Sequence, residues 1–218
     1  MLAWRPMSVP VATEEVRILV EGAISTGQWD FPANITPPHP LALILPDGPD
    51  RDLDGQQPSR PGLRPFLELS QALLHAGIAT FRFVPPPDRD ITSSVLVAWS
   101  RATQHVLVSR QRVGLVVVGE AGWRAVVPTI SAMRAAAESL AAILIAPDGE
   151  ADLTALDGIP SRVLAYDDLT EDLQSSADRI AGRALPHPEL LTDVATNLAE
   201  MLRPRWERTI RPPGTAIG

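Results

Sequence analysis

Three residues in the sequence could transfer protons in the loops around one predicted sheet: Asp47, Glu120 and His187. Asp47 follows the apolar run LALIL (Leu41–Leu45), Glu120 follows VGLVVV (Val113–Val118), and His187 is held between two prolines. A carboxyl group whose pKa is raised by burial can act as a general acid or base, and a histidine can do so near neutral pH. These positions predict acid–base chemistry in loops around the sheet: Asp47 and Glu120 follow strands, and His187 precedes the final helix.

Each of these residues also has a structural interpretation, which the sequence leaves open. Pro46-Asp47-Gly48 is typical of a turn. A lone histidine in a loop, such as His187, is often a surface residue. The four histidines show neither H-x-H nor H-E-x-x-H spacing, so we expect no metal site.

Composition excludes several other chemistries. The 218 residues contain no cysteine, and all 19 basic residues are arginine. Disulfides, thiolate ligands and Schiff-base lysines are therefore excluded, and nothing in the sequence calls for a cofactor. The net charge of −7 argues against nucleic acid and anionic lipid as partners. No apolar run reaches the roughly 18 residues of a membrane helix, and Met1–Pro10 lacks a signal-peptide core, so we expect a cytoplasmic protein.

The elements that would position these residues alternate along the chain. Short apolar runs predict strands at Val16–Val20, Leu41–Leu45, Ile78–Val84, Val113–Val118, Leu140–Ala146 and Arg162–Tyr166. Helical patterns separate them at Leu63–His75, Thr92–Val108, Trp123–Ala137, Asp168–Gly182 and Glu189–Leu202, and we expect a loop over Gly119–Arg124. Strands that are apolar on both faces indicate a mostly parallel sheet with helices on both sides. Ligands bind such sheets at the carboxyl ends of the strands. We expect one α/β domain over residues 1–203, with no lid domain, and a flexible Pro/Arg-rich tail over 204–218.

Three segments resemble a known family. Asp47–Gly55 (DGPDRDLDG), Pro65–Arg82 (PFLELSQALLHAGIATFR) and Val113–Gly122 (VGLVVVGEAG) occur in the order found in α/β-hydrolase esterases of the dienelactone-hydrolase-like and acyl-peptidase-like kind. The resemblance covers most of residues 14–202. It implies the α/β-hydrolase fold, with a nucleophile on the turn after Val118 and a triad histidine near His187.

The nucleophile is the departure from this family. The motif G-x-Ser-x-G places a serine on a tight strand-to-helix turn, whereas this chain has GEAGW, with Ala121 at the serine position and Trp123 at the last glycine. Because a methyl group cannot attack a carbonyl, we expect no acyl-enzyme. The resemblance also places Asp47 in the oxyanion loop, where a carboxylate would oppose a developing negative charge.

We therefore predict a non-hydrolytic protein that binds a largely apolar small molecule. It could be a repurposed enzyme for cyclisation, elimination or isomerisation, with proton transfer by the three residues named first and a binding surface formed by Gly48, Pro85, Ala121, Gly122 and Trp123. The alternatives are a pseudoenzyme or interaction module without catalysis and, third, an active esterase with an unrecognised nucleophile. A cavity filled by Trp123 and Trp99 would favour the interaction module. The sequence leaves open a homodimer that covers apolar surface near the site.

Overall fold

The computed structural model describes residues 11–45, 52–56, 64–137, 139–146, 154–165 and 188–203. The strands are β1 (Val11–Val20), β2 (Ala23–Pro32), β3 (His39–Leu45), β4 (Ala79–Phe83), β5 (Val108–Val118), β6 (Ser139–Ala146) and β7 (Ser161–Ala165). The α-helices are α1 (Pro65–His75), α2 (Ile91–Thr103), α3 (Gly119–Val126), α4 (Ile130–Ala136) and α5 (Pro188–Met201). The helix predicted over Asp168–Gly182 lies outside the described residues.

The described strands form one seven-stranded sheet in the order β1-β2-β4-β3-β5-β6-β7. β3 pairs in parallel with β4 and β5, and β6 pairs in parallel with β5 and β7. β1 pairs antiparallel with β2, which in turn pairs antiparallel with β4. This mostly parallel sheet between helices confirms the predicted fold class. None of the described helices is long and apolar enough to cross a membrane.

The central strands are apolar on both faces because two separate layers cover them. In β3, Leu41, Leu43 and Leu45 face the layer that includes α2 and α3, whereas Ala42 and Ile44 face the layer that includes α1 and α5. A strand that alternates between two covered faces has no solvent-exposed side. This arrangement explains the uninterrupted run LALIL.

The last described helix rests directly on the central strand β5. Gly114 lies under Leu198 of α5, and a Cβ atom at Gly114 would stand 2.6 Å from the Leu198 Cδ1 atom. Glycine is therefore required for this close approach. Leu198 is fully buried, as are Val194 and Leu202 in the same layer.

β1 and β2 form a hairpin that the sequence predicted only in part. The predicted strand Val16–Val20 extends back to Val11, and β2 was not predicted as a strand. The turn consists of Glu21 and Gly22, whose φ angles are 48° and 84°, as in a two-residue type I′ turn. β2 was missed because its buried positions include the polar residues Ser25 and Asp30.

Candidate functional site

The turn between β5 and α3 lies at the carboxyl end of the central strand. Val118 is the last residue of β5, and Gly119 is the first residue of α3, so no loop residue separates them. Gly119 has a φ of 70°, in the left-handed region where a side chain is strained. The sequence predicted a loop over Gly119–Arg124, with the helix starting near Trp123; the helix instead starts at once because glycine supplies the sharp change of direction.

The residues of the predicted nucleophile motif GEAGW lie in the first turns of α3. Ala121 is the third residue of the helix, and Gly122 is buried one position later. Of Glu120, the structure describes the backbone at the second position of α3. Asp47, Gly48 and His187 lie outside the described residues, so their assigned roles stay predictions.

Two tryptophans fill the apolar layer beside this turn. Trp123 on α3 is 8% exposed and Trp99 on α2 is 5% exposed, and both belong to the cluster that covers this face of the sheet. The layer also contains Val126 and Met133, both fully buried. Trp123 is therefore a core residue of the described structure, with its indole removed from solvent.

The loop after β4 is anchored against β2. The backbone N–H of Val84 donates to the carbonyl of Thr26 at 3.0 Å, and the Ser25 hydroxyl donates to the carbonyl of Val84. Pro85 and the proline after it are buried. Pro85 is thus held at the carboxyl end of β4, and its predicted role in ligand binding stays a prediction.

The loop after β3 is held by a buried arginine that sequence reasoning missed. Arg82 lies on β4 with a side chain that is 2% exposed, and its two terminal nitrogens contact Asp30 at 2.8 Å and Asp54 at 2.7 Å. It also donates to the carbonyl of Leu53 at 3.2 Å. The motif DRDLDG and the strand TFRF are therefore joined by an ion pair. An arginine inside an otherwise apolar strand was the signal that could have revealed it, because a buried charge needs a partner.

Asp30, one of the two aspartates that contact Arg82, also accepts hydrogen bonds from other side chains. Its carboxylate accepts hydrogen bonds from Thr13 at 2.9 Å, Gln28 at 2.8 Å and Ser70 at 3.0 Å in addition to Arg82. The Ser70 and Thr80 hydroxyls are 2.6 Å apart. Hydrogen bonds from several directions compensate the desolvation of a buried carboxylate. We call the set Asp30, Asp54, Ser70, Thr80 and Arg82 the Arg82 cluster.

Within residues 52–56, the first aspartate shapes the backbone. Asp52 Oδ1 accepts from the N–H groups of Asp54 at 3.0 Å and of Gln56 at 2.8 Å. The carbonyl of Asp54 accepts from the N–H of Phe66 at the start of α1, at 2.9 Å. Asp52 and Asp54 therefore have structural roles in positioning this loop.

One further carboxyl group lies near this loop. Glu68 sits on the first turn of α1, and half-burial raises its pKa to about 7. Its Oε2 atom is buried and has no hydrogen-bond partner among the described residues. Nothing in the sequence distinguishes this glutamate from a solvated helix residue, so it was missed.

Two described histidines, His39 and His105, lie at the end of the sheet opposite to the turn between β5 and α3. His39 begins β3 and donates its backbone N–H to the carbonyl of Leu107 at 2.8 Å. Burial, and secondarily the charge of Arg112, lowers the pKa of His39. The His105 ring lies 4.6 Å from the Phe31 ring, centroid to centroid. Neither imidazole belongs to the carboxyl-end site, and the described residues contain no group of acidic or histidine side chains that could hold a metal ion.

Comparison with known proteins gives matches to solved structures. A dienelactone hydrolase-like promiscuous phosphotriesterase from metagenomic libraries is similar at 10% identity and a TM-score of 0.59, with 88% of this chain and 99% of that chain covered. A dienelactone hydrolase from Anabaena variabilis is similar at 16% identity and a TM-score of 0.55, with 88% and 99% covered. A cold-adapted esterase from an Arctic intertidal metagenomic library is similar at 12% identity and a TM-score of 0.55, with 93% and 100% covered.

These likenesses define the fold. The chain has the α/β-hydrolase fold. Within that fold, its sheet and helices are similar to those of the dienelactone hydrolase-like and esterase structures, which confirms the resemblance predicted from the three sequence segments. Some matched structures are longer, and the chain covers 46% of a hypothetical protein from Pseudomonas aeruginosa. No protein family and no curated protein sequence matches the chain.

Proposed function

We propose that this chain is an α/β-hydrolase-fold protein without hydrolytic activity. The turn between β5 and α3 carries the proposal. Hydrolases of this fold place their nucleophile on a sharp, strained strand-to-helix turn. In this chain the residue with a positive φ at the turn is Gly119, and the stretch VVGEAGW (Val117–Trp123) holds no serine, threonine or cysteine.

We assign the nucleophile's position to Gly119, because the positive φ falls there and Ala121 is already the third residue of α3. This assignment differs by two residues from the sequence prediction. Both assignments have the same chemical consequence. Neither a hydrogen atom nor a methyl group can attack a carbonyl carbon, so the covalent route through this turn is closed.

A fluorophosphonate probe tests the proposal, because it labels an activated serine covalently. The wild-type protein should remain unlabelled under conditions that label an active esterase completely. Stoichiometric labelling of any serine in the wild-type chain would overturn the proposal. Gly119→Ser and Ala121→Ser then distinguish the two positions: labelling is expected only for Gly119→Ser, although a serine at positive φ costs about 1–3 kcal/mol of stability.

Two non-hydrolytic functions fit this turn. The first is the binding of a largely apolar small molecule, with Asp47, Glu120 and His187 assisting a cyclisation, elimination or isomerisation by proton transfer. The second is a pseudoenzyme or interaction module without catalysis. The burial of Trp123 and Trp99 in one apolar layer supports the second function, because both indoles pack into the core that covers this face of the sheet.

Native mass spectrometry separates these two functions. The purified full chain is measured intact and again after denaturation in organic solvent. A small molecule that is present in the intact species and released on denaturation supports ligand binding. A mass equal to that of the polypeptide alone, also after incubation with an extract of apolar metabolites, supports the non-catalytic function.

A further inference from the structure

β1 forms one edge of the sheet, and among the described strands it pairs only with β2. It is 10 residues long. A long edge strand offers a row of unpaired N–H and C=O groups to another strand. We propose that the edge of β1 pairs with β1 of a second copy of this chain, in antiparallel orientation, so that two sheets join into one.

The hairpin turn determines which backbone groups of β1 face this edge. Residues that flank a two-residue type I′ turn, here Val20 and Ala23, exchange backbone hydrogen bonds with each other. Hydrogen-bonded and non-hydrogen-bonded positions alternate along an antiparallel pair. The even-numbered residues of β1 therefore bond to β2, and the N–H and C=O groups of the odd-numbered residues, including Thr13, Glu15, Arg17 and Leu19, point away from it.

Charge fixes the register of the proposed pairing. Two antiparallel copies related by a two-fold axis place residues of the same sheet face opposite each other. With the axis at Val16, Glu15 lies opposite Arg17 of the second copy, and the reverse contact repeats across the axis. An axis at Glu15 would oppose two carboxylates, and an axis at Arg17 would oppose two guanidinium groups, both of which are unfavourable.

Glu15 and Arg17 are free to make this contact with the second copy. Both are exposed and lie on the same face of β1. No ion pair joins either of them to another residue in the described part of the chain. Two reciprocal ion pairs across an axis give an edge contact its specificity.

The same register brings exposed apolar side chains together. Leu19 is 67% exposed, and its cross-strand neighbour Ile24 is also 67% exposed. In the proposed register Leu19 lies diagonally across from Val11 of the second copy, and Val11 is 40% exposed. Diagonal neighbours on one face are within reach of each other. The pairing would therefore cover Leu19 and Val11, which the described chain leaves in solvent.

Sedimentation velocity over a series of protein concentrations tests the proposal with the full chain. The wild-type protein should dimerise. Arg17→Glu should be monomeric, because it places glutamates opposite each other, whereas the charge swap Glu15→Arg with Arg17→Glu should restore the dimer. Arg110→Glu is the matched control, because it makes the same charge reversal at an exposed position of β5 and should leave the dimer intact.

Three outcomes would overturn the proposal. The first is a wild-type chain that stays monomeric at every concentration, which would leave the edge to a strand of another protein. The second is an Arg17→Glu dimer as stable as the wild type. The third is a charge-swapped variant that remains monomeric while its far-UV circular dichroism matches that of the wild type. The swap keeps the wild-type net charge, so it also tests the register if Arg17→Glu alone folds poorly.

Discussion

Replacing Arg82 with methionine tests whether the Arg82 cluster stabilises the fold. Methionine keeps the apolar length of the side chain but removes the guanidinium group that contacts Asp30 at 2.8 Å and Asp54 at 2.7 Å. The Asp30 side chain is only 6% exposed, so it would remain as a buried carboxylate with no counter-charge. The Asp54 side chain is 29% exposed, so water can replace much of what it loses.

The magnitude follows from these exposures. Removing one partner of a buried ion pair costs about 3–5 kcal/mol, because the other charge stays buried and uncompensated. Three hydrogen bonds from Thr13, Gln28 and Ser70 remain on Asp30, which favours the lower end of that range. The contact with the more exposed Asp54 adds up to about 1 kcal/mol. We expect Arg82→Met to lower the free energy of unfolding by about 4 kcal/mol and the melting temperature by about 10 °C.

Arg64→Met is the matched control. Arg64 also pairs with Asp54, at 3.6 Å, but its side chain is 54% exposed, so the same replacement should cost less than about 1 kcal/mol. Urea denaturation followed by circular dichroism measures both variants against the wild type. Equal losses for Arg82→Met and Arg64→Met would refute the reasoning, because they would show that burial of the ion pair does not decide its contribution.

Three other substitutions should have measurable effects. Burial raises the pKa of Glu68 to about 7 from 4.5, so the folded state holds this proton more tightly than the unfolded state, and the associated stability is lost as the pH rises through 7. Glu68→Gln should therefore stabilise the protein by about 1–2 kcal/mol at pH 8, allowing for partial exposure. At pH 4.5 the same substitution should have little effect, and urea denaturation at the two pH values measures the difference. The hydrogen bond from the Ser93 N–H lowers the pKa of Asp90, so Asp90→Ala should lower the melting temperature at neutral pH, and the difference should vanish as the pH falls below 3.8. Gly27→Ala should destabilise the protein by about 1–3 kcal/mol, because the added Cβ would stand 2.5 Å from the Phe81 Cζ atom; a thermal melt equal to that of the wild type would contradict this close approach.

The central strands could be predicted from the sequence because their burial is complete. Runs such as Leu41–Leu45 and Val113–Val118 are apolar at every position except one glycine, and both faces of the sheet are covered in the structure. β2 could not be predicted in the same way. Its buried positions include Ser25 and Asp30, whose polar groups are satisfied by residues far away in the chain, and such long-range partners leave no local pattern.

The candidate site was predictable in its order along the chain but not in its contacts. The absence of a serine, threonine or cysteine directly after β5 could be inferred, because it depends only on the residue types in the sequence. The position of the turn could not, since the φ of Gly119 is set by the three-dimensional junction of β5 and α3. Likewise, Asp54 was part of a recognisable motif, but its pairing with Arg82 joins residues 28 positions apart, and only the folded sheet brings them together.

The contact between Leu198 and Gly114 has a consequence for how the chain is made. On one face of β3, β5 and β6, the apolar side chains are buried by α1 together with residues of α5 from Leu191 to Leu202. During synthesis these residues leave the ribosome long after the strands they cover. Until α5 has emerged, the part of this face that α5 covers stays exposed to water, so the nascent chain presents an open apolar surface that chaperones can bind.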